Sequence, residues 1–334
     1  MDNHHLHIIV ERNVRFVEGL TEQFGTVEYL APEEITAERV RHADALFIRT
    51  RNRCDASLLD GSQCRFIGTA TIGTDHIDLP YCAQHGITAV NAPGCNAPAV
   101  AQYVMASVLS IANRPVEQYT IGIIGAGHVG SIVERWARRM GMDVLVNDPP
   151  RQAAENGDNW ASLDEIAERA DIITVHTPLD DSTRHLLDDA YISTFRRAPI
   201  VINAARGPVA DTAALIRGFD SGKIHHLVID CWENEPVISR ELLRRATIAT
   251  PHIAGYSLEG KIRAARMVLD AFSHTFGLPY IEMPQNVPTG AAEKVGPVAI
   301  MRSYNPLADT ALLRTAPESF ETLRNTYALR HEVE

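Results

Sequence analysis

From residue 120 to residue 252 the chain alternates between short apolar runs and helical segments. Six of the runs have the apolar, β-branched character of buried strands: TIGIIG, MDVLVND, ADIITVHTP, APIVINAA, IHHLVIDCW and ATIATPH. Segments such as SIVERWARRMG, SLDEIAERA and DTAALIRGFDSG separate them and have helical spacing. Continuously apolar strands that alternate with helices predict a parallel sheet covered on both faces, the doubly wound α/β architecture.

A smaller α/β unit precedes this region. HLHIIV and HADALFIRT are strand-like, and the pattern VRFVEGLTEQFG between them predicts a helix, so we expect the chain to begin strand-helix-strand. CRFIGTATIGTDHID and GITAVNAP add two strands followed by turn signals. Long helices are predicted from residue 96 and from residue 257, and the last one returns the chain to the first unit.

The length of 334 residues also favours more than one core, because a single core rarely grows past about 250 residues. We expect a substrate-binding (lid) domain from residues 1–94 with 256–278, a nucleotide-binding domain at 95–255 and a C-terminal segment at 279–334. The C-terminal segment is too small to bury a core alone, which favours packing on a neighbouring subunit.

Composition excludes several classes of protein. The formal net charge of -11 argues against nucleic acid as the main partner, since phosphate backbones require clustered cations. No run approaches the roughly 20 apolar residues of a membrane span, so we expect a cytoplasmic protein. Five cysteines without CxxC spacing disfavour disulfides and zinc, and the cluster His4, His5 and His7 lacks partners at ligand spacing, so no metal is expected.

A glycine fingerprint marks the start of the larger unit. Gly125, Gly127 and Gly130 form GxGxxG directly after the first strand, with His128 and Val129 opening the next helix. The glycines allow a tight turn, close approach of a pyrophosphate, and packing of helix on strand. This predicts a dinucleotide bound in a Rossmann domain.

A carboxylate at the end of the following strand indicates which dinucleotide binds. Asp148 lies where a carboxylate accepts hydrogen bonds from the adenosine ribose, and it would repel a 2′-phosphate. NAD is therefore favoured over NADP, although Arg151 nearby could serve a 2′-phosphate.

Three side chains of suitable chemistry follow later strands. Arg206 comes after INAA, Glu235 lies in DCWENEP, and His252 follows TP. An arginine can clamp a carboxylate with two parallel hydrogen bonds. A histidine can exchange a hydroxyl proton near neutral pH, and a carboxylate partner would orient it. These residues are the candidate catalytic group.

The motifs GIIGAGHVG, INAARGPVAD, DCWENEP and TPHIAGYS resemble the D-isomer-specific 2-hydroxyacid dehydrogenase family, in order and over most of the chain. The resemblance implies a Rossmann domain with a flavodoxin-like lid domain. It also implies that Arg206 binds the substrate carboxylate, His252 is the general acid/base and Glu235 pairs with it. Further cofactor contacts implied by the resemblance are Thr177, Ala204, Ala205, Asp230 and Gly255.

Other segments narrow this resemblance. NDPPR, HIAGYSLEGK and PESFETLRNTYALR are similar to family members that act on a small phosphorylated 2-hydroxy acid as homodimers, with the C-terminal segment serving dimerisation. The resemblance implies that Thr50, Thr71 and Tyr256 contact substrate. The residues themselves add Arg49 at a strand end and Gly73 in a turn whose backbone could cradle an anion.

Other interpretations stay open. Another dehydrogenase of the family, acting on phosphoglycerate, glycerate or glyoxylate, would share the catalytic residues. A non-catalytic NAD(H)-sensing binding protein would share the fold and the cofactor. His76 and His176 are expected to be structural, and a nucleophilic role for Cys231 is disfavoured because no base adjoins it.

Overall fold

The computed structural model of the chain describes residues 5–155, 160–283 and 295–333, so His4 of the histidine cluster lies outside the described residues. The chain divides into two compact units, one from Met1–Asn96 and Leu258–Thr289, the other from Ala97–Ser257 and Gly290–Glu334. These bounds place Tyr256 in the second unit. They also join the helices after residue 295 to that unit, where the sequence predicted a separate segment from residue 279.

The strands in chain order are β1 (Leu6–Glu11), β2 (Gly25–Leu30), β3 (Ala45–Ile48), β4 (Phe66–Thr69), β5 (Thr88–Val90), β6 (Thr120–Ile124), β7 (Asp143–Asn147), β8 (Ile172–Val175), β9 (Ile200–Asn203), β10 (His226–Ile229) and β11 (Ile248–Ala249). The helices are α1 (Ala37–Val40), α2 (Ala56–Leu59), α3 (Leu79–Gln84), α4 (Ala97–Ile111), α5 (His128–Arg139), α6 (Pro149–Glu155), α7 (Leu163–Arg169), α8 (Asp189–Ser193), α9 (Thr212–Asp220), α10 (Arg240–Arg245), α11 (Leu258–Phe276), α12 (Pro297–Ser303), α13 (Pro306–Thr315) and α14 (Phe320–Asn325). Short 3-10 helices lie at Glu22–Phe24, Pro32–Glu34, Val116–Gln118, Gly207–Val209 and Pro317–Ser319.

The first unit is a parallel sheet in the order β2-β1-β3-β4-β5. This is the flavodoxin-like order that the family resemblance implied. Helix α11 packs on the sheet, and Phe272 contacts Phe47 and Phe66 with ring centroids 5.2 and 5.6 Å apart. The long helix predicted from residue 257 is therefore confirmed and belongs to this unit.

The helix predicted at VRFVEGLTEQFG is wrong. The segment forms turns and a short 3-10 helix, followed by β2, a strand that the sequence pattern did not predict. Phe16 and Gly19 have φ angles of 64° and 79°, which interrupt an α-helix. Val14 and Val17 are buried at helical spacing, but they anchor a turn rather than a helical face.

The second unit contains the six predicted strands, in the order β11-β10-β9-β8-β6-β7 with every pair parallel. Neighbouring strand residues face different cores: Ile172 lies in one apolar cluster and Ile173 in the other. The sheet is therefore covered on both faces, which confirms the doubly wound architecture. The order of the strands reverses between β6 and β8, and ligands bind in open α/β sheets outside the strand ends at such a point.

The C-terminal helices α12 to α14 pack within the second unit. The backbone N–H of Ala249, on the edge strand β11, donates to the hydroxyl of Thr310 in α13 at 3.0 Å. The buried amide of Gln102 in α4 donates to Ser303 at 2.6 Å and to the carbonyl of His331 at 3.0 Å. Helix α13 thus covers the edge of the sheet at β11. In the described part of the chain, none of the helices has the length and apolar character to span a membrane.

Candidate active site

The predicted site residues of the second unit follow the carboxyl ends of its strands. They are Gly125 after β6, Asp148 after β7, Thr177 after β8, Ala204, Ala205 and Arg206 after β9, Asp230 and Glu235 after β10, and His252 and Gly255 after β11. Because every strand pair is parallel, these ends share one edge of the sheet. The fold therefore brings together residues that lie up to 130 positions apart in the sequence.

The three fingerprint glycines have three different surroundings. Gly125 has a φ of 91°, and an added Cβ would lie 2.8 Å from the backbone carbon of His176. A Cβ on Gly130 would lie 2.0 Å from the carbonyl oxygen of Gly125, so helix and strand touch there. A Cβ on Gly127 would meet nothing within 4 Å. Packing thus accounts for Gly125 and Gly130, whereas the open space at Gly127 fits close approach of a pyrophosphate.

Asp148 and Arg151 both contact the glycine turn. Asp148 accepts hydrogen bonds from the N–H of Ala126 at 2.7 Å and of Arg151 at 3.0 Å. The Arg151 guanidinium donates to the Ala126 carbonyl at 2.6 Å and binds Glu155 through two nitrogens at 2.8 and 2.9 Å. The positive charge of Arg151 is therefore largely paired with Glu155 of the same helix. Asp148 remains as the acidic group at the turn.

Two buried polar groups lie after β8. The hydroxyl of Thr177 and Nδ1 of His176 are buried and have no hydrogen-bond partner among the described residues. Burial also lowers the pKa of His176 to about 3, so its ring is neutral at physiological pH. A buried hydroxyl without a partner at this edge fits a bound polar ligand, and the second half of a dinucleotide would supply one.

His252 and Glu235 form a directly bonded pair. Nδ1 of His252 lies 2.8 Å from Oε2 of Glu235, and Oε1 of the same carboxylate accepts the backbone N–H of Trp232 at 2.8 Å. Burial would raise the pKa of Glu235, but the charge and hydrogen bond of His252 outweigh it and lower that pKa. The carboxylate therefore stays charged and holds the imidazole, which fits the acid/base role predicted for His252.

A buried carboxylate shapes the loop that carries His252. Asp230 accepts hydrogen bonds from the hydroxyl of Thr250 at 2.7 Å and from the N–H groups of Ile253 at 2.8 Å and Ala254 at 3.0 Å. Its own carbonyl accepts the N–H of His252 at 2.9 Å, and His252 has a φ of 55°. Asp230, predicted to contact the cofactor, thus also holds the histidine in an unusual backbone conformation.

Arg206 is positioned from its backbone. The side-chain amide of Asn203 donates to the carbonyl of Arg206 at 3.0 Å, and Nη1 of Arg206 donates to the carbonyl of Ala205 at 2.8 Å. A Cβ on Gly207 would lie 2.0 Å from the carbonyl oxygen of Trp232, so this turn packs tightly against the segment that carries Glu235. The backbone segments that carry Arg206 and Glu235 therefore contact each other and hold the two residues in place.

Cys231, Glu235 and His252 bring three potential ligand atoms to within 4.8 Å of one another. Burial raises the pKa of the Cys231 thiol well above its usual range, so it stays protonated. The thiol contacts the carbonyl of Ala205 at 3.4 Å. With Nδ1 of His252 directed at Glu235, the arrangement favours an imidazole-carboxylate pair over a metal site.

Two arginines near the C-terminus contact the His252 loop, and sequence reasoning missed them. Arg330 is buried and donates to the carbonyls of Ile253 and Tyr256, each at 3.1 Å, and to that of Ala254. Arg324 in α14 donates to the hydroxyl of Tyr256 at 3.2 Å. No local motif marks either residue, and only the run PESFETLRNTYALR, singled out for its resemblance, contains both.

The other predicted substrate residues lie in the first unit, at adjacent strand ends. Arg49 and Thr50 follow β3, while Thr71 and Gly73 follow β4. The hydroxyl of Thr71 contacts that of Thr69 at 2.7 Å, and Thr50 is exposed. The backbone N–H of Arg49 donates at 2.7 Å to Glu11, a buried carboxylate at the end of β1.

Glu11 was missed in the sequence, because a glutamate at a strand end has no motif around it. Burial raises the pKa of its carboxyl group, and the hydrogen bond from the Arg49 backbone and the Arg49 charge oppose that rise. Glu11 therefore helps to fix the strand end that carries two of the predicted substrate residues.

Comparison with known proteins assigns the chain to a family. Residues 99–254 match the model of the D-isomer specific 2-hydroxyacid dehydrogenase, NAD binding domain. An erythronate-4-phosphate dehydrogenase of Bacteroides thetaiotaomicron is 45% identical over 336 residues, 97% of each chain. One from Bacteroides fragilis is 42% identical over 340 residues, again 97% of each chain.

A solved structure agrees with this assignment. The D-lactate dehydrogenase of Aquifex aeolicus, complexed with NAD and lactic acid, is 25% identical with a TM-score of 0.69, covering 81% of this chain and 96% of that one. The resemblance seen in the sequence motifs is thereby confirmed. The chain belongs to the D-isomer-specific 2-hydroxyacid dehydrogenases, whose NAD-binding domain it contains, and within them to the erythronate-4-phosphate dehydrogenase family.

Proposed function

We propose that the protein oxidises 4-phospho-D-erythronate at C2 with NAD, giving (R)-3-hydroxy-2-oxo-4-phosphooxybutanoate, a step in pyridoxal 5′-phosphate (vitamin B6) biosynthesis. The observation that carries the proposal is the 2.8 Å pair of His252 and Glu235 at the same sheet edge as the glycine turn and Arg206. The names of the relatives support the choice of substrate.

The chemistry assigns a task to each side chain. Since Nδ1 of His252 is engaged by Glu235, Nε2 is the atom that takes the C2 hydroxyl proton. Arg206 binds the substrate carboxylate and offsets charge that develops on the C2 oxygen. When bound, NAD would supply the nicotinamide ring as the acceptor for the C2 hydrogen, which leaves as hydride. Loss of a proton and a hydride leaves the C2 ketone, so atoms and electrons balance.

The turn residues fit NAD binding. In this proposal the N-terminus of α5, with His128 and Val129, faces the pyrophosphate, and Asp148 accepts the adenosine ribose hydroxyls. The nicotinamide half is contacted by five residues that follow later strands: Thr177, Ala204, Ala205, Asp230 and Gly255. A 2′-phosphate would meet the Asp148 carboxylate, which favours NAD over NADP.

The proposed substrate contacts are five residues at strand ends and in the loop after His252: Arg49, Thr50, Thr71, Gly73 and Tyr256.

We further propose a cytoplasmic homodimer. The apolar side chains Leu307 and Leu312 of α13 are 44% and 56% exposed, and they support a role of the C-terminal segment in dimerisation.

An absorbance assay of NADH formation tests the proposed function. We expect purified protein to turn over 4-phospho-D-erythronate with a kcat/KM at least about tenfold above that for D-erythronate, 3-phospho-D-glycerate, D-glycerate or glycolate. A site whose donors bind the substrate phosphate favours that substrate over acids without a matching phosphate by about this factor or more. Preference for one of the other acids would replace the substrate but keep the enzyme class. Tight NADH binding without turnover of any acid would instead favour an NAD(H)-sensing binding protein.

Two glycine variants test the cofactor site as a matched pair. Gly127→Ala adds a Cβ into open space, so we expect the free energy of unfolding to stay near wild type while NADH affinity falls about tenfold or more, because the methyl group blocks the pyrophosphate. Gly130→Ala places its Cβ 2.0 Å from the Gly125 carbonyl and should destabilise the fold by about 1–3 kcal/mol.

Thermal unfolding and fluorescence titration with NADH measure the two effects. Unchanged NADH affinity in the folded Gly127→Ala protein would contradict the placement of the pyrophosphate at this turn.

A further inference from the structure

A second guanidinium group lies at the candidate site. Arg324 is half-buried in α14, and its Nε donates to the hydroxyl of Tyr256, four residues after His252. The terminal Nη nitrogens of Arg324 have no hydrogen-bond partner in the part of the chain that the structure describes. They form a planar fork of donors, the geometry that binds a phosphate or carboxylate through two parallel hydrogen bonds.

The charge of Arg324 reaches the catalytic group. It helps to lower the pKa of Glu235, after the larger effects of burial and His252. Burial dominates the raised pKa of the Cys231 thiol, but Arg206 and Arg324 both act against that rise. Both guanidinium groups therefore act on Cys231, although the chain as a whole carries a net charge of -11.

The position of Arg324 is well defined. Phe320, at the start of α14, is fully buried in the core of the second unit. Arg330 ties the segment after this helix to the carbonyls of Ile253 and Tyr256 at 3.1 Å. Helix and loop are thus fixed to each other, so the guanidinium is pre-organised beside the hydroxyl of Tyr256.

The proposed substrate carries two separate anionic groups, a carboxylate beside C2 and a phosphate at the far end. Arg206 has the task of binding the carboxylate, and the phosphate needs a second cation. Arg324 lies in the same unit as Arg206, whereas Arg49 lies in the first unit. We propose that Arg324, with the hydroxyl of Tyr256, binds the phosphate of the substrate and determines the preference for a phosphorylated acid. This inference rests on the proposed function.

Substrate discrimination tests it. We expect Arg324→Met to lower kcat/KM for 4-phospho-D-erythronate by about 10- to 100-fold, mainly through KM, because one charge-assisted pair is lost. Activity on D-erythronate, which lacks the phosphate, should change less than about threefold. Arg324→Lys keeps the charge but not the fork, so it should recover part of the loss. Tyr256→Phe should shift the same discrimination by a smaller factor.

Arg244→Met is the matched control. Arg244 is an exposed arginine of the same unit, with a side chain 66% accessible and a contact of 3.8 Å to Glu241. This variant loses the same charge and should retain the wild-type ratio between the two substrates. Thermal unfolding of each variant shows whether α14 still packs.

Several outcomes would overturn the inference. Equal losses on both substrates in Arg324→Met would give the residue a general role instead, and unchanged kinetics would give it none at the phosphate. A wild-type protein that turns over neither substrate would overturn the proposed function and this inference together, whereas an active wild type with an unaffected variant would overturn only this one.

Discussion

Replacing His252 by asparagine should lower kcat by roughly 100-fold or more while NADH affinity stays within about twofold of wild type. The variant keeps a group that can donate a hydrogen bond to Glu235 but cannot exchange the substrate proton at neutral pH. Stopped-flow or steady-state NADH formation gives kcat, and fluorescence titration gives the NADH Kd.

The chain offers a matched control for this change. His185 also bonds a carboxylate, with Nε2 2.8 Å from Glu233, and it also has a positive φ, of 52°. His185→Asn removes a similar pair that the proposed mechanism does not use, so turnover should stay near wild type. Loss of NADH binding with preserved turnover in His252→Asn would contradict the assignment of the acid/base group.

Arg206→Met should lower kcat/KM by about 10²- to 10³-fold, the loss typical of one preorganised donor at a developing oxyanion. Both kcat and KM should worsen, because in the proposed mechanism the guanidinium binds the carboxylate in the ground state and the C2 oxygen in the transition state. Arg206→Lys should recover only part of the loss, since an ammonium lacks the planar fork.

The control for Arg206 is Arg217→Met. Arg217 pairs with Asp189 on the surface, with Nε 2.9 Å from Oδ1, and its loss should leave kcat/KM near wild type. Weaker NADH binding with unchanged kinetics at saturating cofactor would move Arg206 from the substrate to the cofactor.

The larger unit could be predicted because strand, turn and helix signals agree there. Each apolar run is buried on both sides, so the alternation survives in the sequence, and Gly125 is required by its backbone angle and close contacts. The predicted positions at the strand ends follow directly from the parallel order. The bond between His252 and Glu235 was proposed from the family resemblance, and the structure brings the two side chains together.

The features of the fold and the site that the sequence did not predict depend on contacts between residues far apart in the chain. Val14 and Val17 are spaced like a helical face, yet Phe16 and Gly19 take backbone angles that only the folded unit explains. Helices α12 and α13 each begin at a proline, Pro297 and Pro306, so a residue type that often signals a turn marks a helix start there. Arg324 and Arg330 act on a loop about 70 positions earlier, and local patterns carry no information on such pairs.

The contacts of Arg330 also determine the order in which the parts of the site can form while the chain is being synthesised. The carbonyls that Arg330 binds belong to residues 253, 254 and 256, and the ribosome adds it long after the glycine turn has left the exit tunnel. A nascent chain thus completes the glycine turn before the loop that carries His252 gains its contacts with Arg330. Any change that removes or displaces Arg330 would therefore act on the loop of His252, which lies far from it in the sequence.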